Sequence, residues 1–190
     1  MTLPKPAHQV RLIAGQCKRS KLPVIDAPGL RPTADRVRVT LFNWLGADLA
    51  GWRCLDAFAG TGALGLEAAS RGAAEVVLLE THPQALRSLQ TTRERLQLSR
   101  VRVLRDDALS FMRRAAEASF ELVFLDPPFE QAALRQSALQ AAVRLVVPDG
   151  LVYLEAPEAV GPETEVPPGL VLHRQGRAGA VHFHLFRVVR

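Results

Sequence analysis

The sequence contains little that could form disulfide bonds or cross a membrane. Its 190 residues include only two cysteines, Cys17 and Cys54, too few and too far apart for a disulfide framework or a zinc site. No apolar run approaches the roughly 18 residues that span a bilayer, and Met1–Pro6 lacks the apolar core of a signal peptide. Hydrophobic residues still make up 48% of the chain, so we expect a single cytoplasmic domain with an adequate core.

Common catalytic and metal-binding arrangements are also missing. No Ser-His-Asp or Cys-His pattern can be assembled from the sequence. His182 and His184 stand two residues apart on a predicted strand and therefore face the same way, but no third metal ligand accompanies them. We expect a solvated strand face there and no metal site.

The segment Cys54–Glu67 is typical of a strand, a glycine loop and a helix. Its string G-T-G-A-L-G satisfies the G-x-G-x-x-G pattern after a strand and before a helix. Gly60 and Gly62 would let the backbone approach a ligand closely, and Gly65 would let the helix pack on the strand. The next strand ends in Glu80, which could accept hydrogen bonds from ribose hydroxyls or be a plain surface carboxylate. The pattern predicts an adenosine-containing cofactor and leaves NAD and S-adenosylmethionine open.

Two further predicted strands are followed by acidic residues. Asp106 and Asp107 follow strand 101–105, and Asp107 could accept a hydrogen bond from an adenine amino group, cap the next helix, or do both. The tetrapeptide D-P-P-F, at Asp126–Phe129, follows strand 121–125. In open α/β sheets ligands bind beyond the carboxyl ends of the strands, so we expect these residues and the glycine loop to converge on one crevice.

The D-P-P-F tetrapeptide could hold a flat amine. Its two prolines fix two φ angles and force the chain out of the sheet. Asp126 and the carbonyl of Pro127 are then neighbouring acceptors, and Phe129 offers an aromatic face. Taken alone, the tetrapeptide could equally be a stiff turn.

The apolar pattern predicts that strands and helices alternate along most of the chain. After a helix over 33–49, the expected strands are 54–58, 75–80, 101–105, 121–125 and 150–155, and the expected helices are 63–71, 83–97, 108–117 and 131–146. This alternation predicts a parallel sheet with right-handed crossovers. Short hairpins are expected at both ends of the chain, from strands Val10–Ala14 and Leu22–Ile25 and from strands Leu170–Gln175 and Ala180–Val189, the latter pair joined by a turn at Gly176–Gly179.

Positive charge is concentrated near the amino terminus. Residues 1–40 carry a net charge of +6, whereas the whole chain carries +5. This predicts a nucleic-acid partner rather than a merely soluble basic tail. Because residues 1–40 contain no aromatic side chain, we expect the arm to position phosphates and not to read bases. The candidate nucleic-acid-binding residues are Arg11, Lys18, Arg19, Lys21, Arg31, Arg36 and Arg38.

With these motifs in place, the chain resembles a class I S-adenosylmethionine-dependent methyltransferase that methylates amines. It is similar to the RsmD family, bacterial enzymes that methylate the N2 amine of a guanine in small-subunit ribosomal RNA. The matching strings run in family order across nearly the whole chain: R-L-I-A-G at Arg11–Gly15, R-P-T-A-D-R-V-R at Arg31–Arg38, L-F-N-W-L at Leu41–Leu45, D-A-F-A-G-T-G-A-L-G-L-E-A at Asp56–Ala68, and D-P-P-F. The sequence departs from the family at Val39, where Glu is usual, and at Arg19-Ser20, where Gly-Arg is usual.

The resemblance implies a fold and a set of site residues. The implied fold is α/β and Rossmann-like, a mostly parallel seven-stranded sheet with helices on both faces, preceded by a small basic hairpin arm. We expect the arm to occupy residues 1–32 and the methyltransferase domain residues 33–190. Asp126, Pro127 and Phe129 would be catalytic, and S-adenosylmethionine would bind to Asp56, Phe58, Gly60, Gly62, Glu80, Asp107 and Ala108.

The implied partner is small-subunit ribosomal RNA, within a partly or fully assembled subunit, bound by a monomeric enzyme. Competing interpretations are a DNA adenine methyltransferase, a protein-glutamine methyltransferase, and a ribosome-assembly protein without turnover. A chain of 190 residues leaves little room for a DNA-reading domain, and glutamine methyltransferases usually carry Asn in place of Asp126. The intact glycine loop and D-P-P-F argue against a protein without turnover. An NAD oxidoreductase would need a proton-transfer His or Lys that the sequence does not place recognisably.

Overall fold

The structure is a computed structural model that describes residues 10–25, 35–161 and 164–190. The expected helix start at Thr33 and the candidate residue Arg31 lie outside these ranges. The strands are β1 (Val10–Arg11), β2 (Lys21–Leu22), β3 (Arg53–Asp56), β4 (Glu75–Glu80), β5 (Val101–Arg105), β6 (Phe120–Leu125), β7 (Val146–Ala156), β8 (Leu170–Ala178) and β9 (Val181–Val188). The helices are α1 (Asp35–Leu45), α2 (Gly65–Ser70), α3 (Pro83–Arg95), α4 (Ala108–Arg114) and α5 (Ala132–Leu145).

Seven strands form one sheet in the order β5-β4-β3-β6-β7-β9-β8. The pairs β3–β4, β4–β5, β3–β6 and β6–β7 are parallel, while β9 runs antiparallel to both β7 and β8. The predicted parallel sheet with a closing antiparallel hairpin is therefore confirmed. The chain first builds outward from β3 to β5 and then returns to build from β6 onward. The switch point between β3 and β6 is where open α/β sheets bind ligands.

Helices cover both faces of the sheet because successive strand residues point to opposite sides. One apolar cluster joins Cys54 and Phe124 with α1, α2 and α3, and the other joins Leu55 and Val123 with α4 and α5. We call the edge where the parallel strands end the carboxyl edge, and the opposite one the amino edge. Helices α2 and α3 each connect a strand end to the next strand start, so both end at the amino edge.

The amino-terminal hairpin shares the core of the sheet. Strands β1 and β2 pair antiparallel, and Val10, Leu22 and Leu12, which directly follows β1, are buried in the same cluster as α1–α3. The backbone between the strands is bonded to α2, since the N–H groups of Ile13 and Ala14 donate to the Glu67 carboxylate at 2.7 and 3.1 Å.

Two local predictions were wrong. The turn between the last strands is not Gly176–Gly179, because β8 continues to Ala178 and only Gly179 and Ala180 form the turn. Gly176 lies within β8 under the ring of Phe183, where an added Cβ would be 2.4 Å from the ring. His184 is not solvated but fully buried, and its Nε2 accepts a hydrogen bond from the N–H of Val160 at 3.1 Å. His184 is buried because β9 lies between β7 and β8 and the loop at Val160 covers this part of the strand.

Predicted strand and helix positions agree with the structure apart from their ends. The largest differences are at α1, which ends at Leu45 and not near residue 49, and at β7, which begins at Val146 and not at 150. None of the helices in the described ranges is both long and apolar enough to cross a membrane.

Candidate active site

The carboxyl edge brings acidic side chains of four neighbouring strands to one face of the sheet. Asp56 of β3 pairs with Leu78 of β4 and with Phe124 of β6, and Phe124 pairs with Tyr153 of β7. Residues paired across neighbouring strands lie on the same face. Asp56 and Tyr153 therefore lie on the face covered by α1, α2 and α3.

Three more carboxylates each lie two residues further along the chain than Leu78, Phe124 and Tyr153. Glu80 ends β4, Asp126 directly follows β6, and Glu155 lies near the end of β7. Side chains two residues apart on a strand point to the same face, so Glu80 and Glu155 share the face of Asp56. The negative charge of Asp126 helps to raise the pKa of the Tyr153 hydroxyl, so the two side chains lie close enough to interact. Negative charge is thus concentrated at the switch point.

Glu80 connects the glycine loop to the neighbouring strand. Its Oε2 accepts a hydrogen bond from the N–H of Gly60 at 2.9 Å, and its Oε1 accepts from the N–H groups of Thr81 and His82, each at 2.7 Å. The side chain is buried, so the alternative of a plain surface carboxylate is wrong. A carboxylate has about four acceptor sites, and these three bonds leave room for one donor from a ligand.

Asp56 is buried at the end of β3 and is only half satisfied. Its Oδ2 accepts from the N–H of Gly65 at 2.9 Å, while its Oδ1 has no hydrogen-bond partner among the described residues. Burial raises the pKa of Asp56 from 3.8 to about 7, and the nearby charges of Glu80 and Glu155 act in the same direction. An orphaned, buried carboxylate oxygen is suited to a hydrogen-bond donor or a positive charge supplied by a ligand.

Glycines in the loop are required by packing. At Gly65 an added Cβ would lie 2.2 Å from Cδ2 of Leu78, so only glycine lets α2 pack this closely on β4, as predicted. Gly62 has φ +78°, and its missing side chain leaves space that Leu66 and Leu89 fill. The close approach of the loop at Gly62 is therefore to protein side chains.

Asp107 caps helix α4. Its carboxylate accepts from the N–H of Ser110 at 2.8 Å, which confirms the expected capping role. Hydrogen bonds from the backbone and hydroxyl of Ser110 lower the pKa of Asp107, so it is a stable anion beside β5. Its side chain is exposed, Ala108 after it is buried, and Phe58 packs at the border of the second apolar cluster.

The D-P-P-F segment leaves the sheet as predicted and forms a turn. The Pro128 carbonyl accepts from the N–H of Gln131 at 3.0 Å, and the Phe129 carbonyl accepts from Nη1 of Arg135 at 3.2 Å. Neither bond uses the carbonyl of Pro127. Asp126 and Phe129 are half-buried, and Pro127 is buried. The stiff-turn interpretation and the amine-holding interpretation are therefore both compatible with this geometry.

A buried tyrosine–glutamate pair adjoins the segment and was missed by sequence reasoning. The hydroxyl of Tyr153 donates to Oε1 of Glu155 at 2.9 Å, and both side chains are buried. Burial, followed by the charges of Glu155 and Asp126, raises the pKa of Tyr153 well above its ordinary value. The signal was present in the sequence, since Leu151–Glu155 ends in an acid just as β4 ends in Glu80.

The candidate RNA-binding residues differ in accessibility. Arg36 is exposed at the start of α1, and the hairpin residues Arg11, Lys18, Arg19 and Lys21 are also exposed. Arg31 lies outside the described residues.

Arg38 occupies a different position from the exposed one expected for a phosphate contact. Its side chain is 0% exposed and forms a salt bridge with Asp35. Its Nε and Nη1 have no hydrogen-bond partner among the described residues. Its role in RNA binding stays a prediction.

A mostly parallel seven-stranded sheet with one antiparallel strand inserted beside its edge, a glycine loop after the first parallel strand and acids at the next strand ends is the fold of class I S-adenosylmethionine-dependent methyltransferases. A family model described as "Conserved hypothetical protein 95" matches residues 10–187. The chain belongs to this family, the RsmD family, and the resemblance inferred from the sequence is confirmed.

Named relatives and solved structures agree with this assignment. The Escherichia coli (strain K12) protein "Ribosomal RNA small subunit methyltransferase D" is 41% identical over 96% of this chain and 94% of its own length. The Haemophilus influenzae protein of the same name is 36% identical over 97% of this chain and 96% of its own. The solved structure of Escherichia coli yhhF, which carries a methyltransferase name, superposes with a TM-score of 0.83 and 36% identity over 96% of this chain and 99% of its own.

Proposed function

We propose that this protein transfers a methyl group from S-adenosylmethionine to the exocyclic N2 amine of a guanine in small-subunit ribosomal RNA. The observation that carries the proposal is the position of Asp126. It follows the strand beside β3 at the switch point, next to the glycine loop and the buried acids, in a family whose named members are ribosomal RNA methyltransferases.

The residues at the carboxyl edge fit a positively charged methyl donor. When bound, S-adenosylmethionine supplies an electrophilic methyl group on a cationic sulfur. Glu80 provides buried negative charge and spare acceptor capacity, and Asp56, whose Oδ1 lacks a partner among the described residues, can ionise when a cation binds beside it. We assign Glu80 to the ribose hydroxyls, Asp107 with Ala108 to the adenine, and Phe58, Gly60 and Gly62 to the walls of the site. Attraction between opposite charges in a poorly solvated site is strong.

Asp126, Pro127 and Phe129 would prepare the amine. The lone pair of the guanine N2 is delocalised into the ring, so the amine is a poor nucleophile. Two N–H groups donating to Asp126 and to the Pro127 carbonyl would favour a pyramidal nitrogen with its lone pair directed away from them. Phe129 would stack on the base and fix its plane. Orientation and electrostatics of this kind supply most of the rate in a simple displacement.

The amine must lose one proton for each methyl group it gains. It becomes acidic only as the N–C bond forms, so Asp126 first orients the amine and then accepts or passes on the proton. Tyr153 is not the acceptor, because a neutral phenol whose pKa is raised has no tendency to take up a proton. The pair of Tyr153 and Glu155 instead fixes the polar surroundings of Asp126.

RNA would be held mainly through its phosphates. The exposed cations Arg11, Lys18, Arg19 and Lys21 of the hairpin, together with Arg36, suit backbone contacts. The target base has to leave its stack to reach the site, which is least costly in a single-stranded loop. We propose that residues 1–32 serve RNA binding, that residues 33–190 serve catalysis, and that the enzyme acts as a cytoplasmic monomer on a partly or fully assembled subunit.

The test is methylation of small-subunit particles from cells that lack this protein. Purified wild-type protein with labelled S-adenosylmethionine should convert one guanine to N2-methylguanine, identified by mass mapping of the RNA and analysis of its nucleosides. Asp126→Ala should bind the donor and leave the RNA unmodified. Formation of N6-methyladenine, or labelling of protein, would contradict the proposal in favour of the competing amine targets.

A further inference from the structure

We propose that a second basic segment, formed by the end of α3 and the start of β5, joins the hairpin in one RNA-binding surface at the amino edge of the sheet. This inference rests on the proposed function, because it assumes an RNA substrate. It adds residues that the charge of the amino-terminal arm does not indicate.

The segment is positively charged within a part of the chain that is otherwise acidic. Residues 83–105 contain six arginines and one glutamate, a net charge of +5, whereas residues 41–190 as a whole sum to −1. The rest of that long stretch is therefore strongly acidic. The segment also contains no aromatic residue, so it suits phosphates and not base stacking.

Folding brings this segment against the hairpin. Nη2 of Arg95, at the end of α3, donates to the main-chain carbonyl of Lys21 in β2 at 2.7 Å. Arg100, just before β5, lines the same surface cleft as Gln16 of the hairpin turn. Two stretches of chain about seventy residues apart in sequence thus form one continuous surface.

The cations of this surface are available to a ligand. Lys18, Arg19, Lys21, Arg95 and Arg100 are all exposed. None of them forms a salt bridge with a carboxylate in the described parts of the chain, whereas neighbouring Arg102 is paired with Glu75 at 3.2 Å. Unpaired cations from two segments that face solvent together favour a polyanion.

The surface lies far from the carboxyl edge. Helix α3 has 13 residues and runs from the carboxyl edge to the amino edge, a length of about 20 Å at 1.5 Å per residue. An RNA that places its target base at Asp126 and also contacts Arg100 must therefore cover the height of the sheet. A folded RNA can do this.

The experiment measures binding of a fluorescently labelled RNA duplex of about 20 base pairs, without a target loop, at several salt concentrations. Arg100→Glu should weaken binding and make the slope of log K against log salt shallower by roughly 0.7–0.9 for each phosphate that the variant no longer neutralises. Lys18→Glu on the hairpin should do the same. The matched control is Arg174→Glu, which makes the same charge change at an exposed position on β8, the opposite edge strand.

Equal slopes for Arg100→Glu and Arg174→Glu would overturn the inference, because the effect would then be one of net charge alone. If Arg100→Glu lowers the melting temperature, Arg100→Gln replaces it and should still give a shallower slope than Arg174→Gln. Methylation of particles separates this test from the proposed function. Arg100→Glu should raise KM and leave kcat unchanged, whereas a wild-type protein that cannot methylate any RNA would contradict the function and leave the salt-slope comparison valid.

Discussion

The backbone N–H of Gly60 donates a hydrogen bond of 2.9 Å to the carboxylate of Glu80, so one buried acid holds the glycine loop against the end of the neighbouring strand. The same carboxylate also accepts from Thr81 and His82. Glu80 is therefore expected to have two roles, one in holding the shape of the glycine loop and one in contacting the methyl donor S-adenosylmethionine.

Glu80→Ala should weaken S-adenosylmethionine binding by about 1–3 kcal/mol, since a buried hydrogen bond to the donor is removed. Calorimetry on the purified protein measures this. Glu75→Ala provides the control, because Glu75 begins the same strand and pairs with Arg102 on the surface. Equal donor affinity in wild type and Glu80→Ala would show that Glu80 serves the loop alone.

Asp126→Ala should reduce turnover by at least about a hundredfold, as expected when a polar transition-state contact is removed. Donor affinity and the melting temperature should change little, because Asp126 is half-buried at the end of the sheet. Glu130→Ala is the matched control, an exposed acid four residues further on. Near-normal methylation by a folded Asp126→Ala protein would refute the role of Asp126 and the assignment of an exocyclic amine as target.

Phe129 should act through its ring. Phe129→Ala should lose about 1–3 kcal/mol of base stacking, seen as a lower kcat/KM with the RNA particle. Phe129→Tyr should retain most of the activity, because the aromatic face remains. Similar losses in the two variants would point to a packing role instead, and thermal melting of both would show it directly.

Asp56 should make stability depend on pH. A buried acid whose pKa rises from 3.8 to about 7 binds its proton more tightly in the folded than in the unfolded protein. The free energy of unfolding should therefore fall as pH rises from about 4 to 7 and level off above that range. Burial lowers the pKa of His184, which contributes the opposite slope. The informative quantity is thus the difference between wild type and Asp56→Asn in denaturant titrations.

The carboxyl group of Asp56 can also show whether S-adenosylmethionine binds beside it. A cation bound beside Asp56 favours its ionised form, so donor binding at pH 6 should release a proton. Calorimetry in buffers of different ionisation enthalpy would detect the proton, and Asp56→Asn should abolish it. A proton count of zero in the wild type would show that the donor does not contact Asp56.

Arg19 adopts φ +68° at the hairpin turn, a left-handed conformation that L-residues rarely adopt, at the place where the family usually carries Gly-Arg. Arg19→Gly should raise the free energy of unfolding by about 1 kcal/mol while weakening RNA binding because the charge is removed. Arg19→Ala should remove the charge and keep the strain. If both variants bind RNA as the wild type does, Arg19 is not a phosphate contact.

Much of this architecture could be predicted because it depends on local patterns. The glycine loop, Glu80 and the D-P-P-F segment each follow an apolar strand, and the alternation of strands and helices determines that the strand ends meet. Burial of Arg38 and His184 could not be predicted, since it depends on elements distant in sequence that cover them. Gly176 was misread as a turn residue because a glycine under a ring has no local signal that distinguishes it from a glycine in a turn.

The convergence of the two basic segments could not be predicted either, because it depends on contacts between residues distant in sequence. Residues 83–105 have the apolar pattern of an ordinary amphipathic helix and strand. Their positive charge indicates an RNA-binding surface only together with the contact between Arg95 and Lys21. Glu155 is different, because its position at a strand end matches that of Glu80 and could have been noticed in the sequence.

Glu67, at the centre of α2, is fully buried and accepts hydrogen bonds from Ile13, Ala14 and Arg71. The hairpin therefore cannot be exchanged between proteins as an independent module, since its removal would leave a buried carboxylate short of two donors. Deletion of residues 1–22 would also strip Leu12 and Leu22 from the core. Amide hydrogens at Ile13 and Ala14 should therefore be protected from exchange with solvent, because both donate to a buried carboxylate.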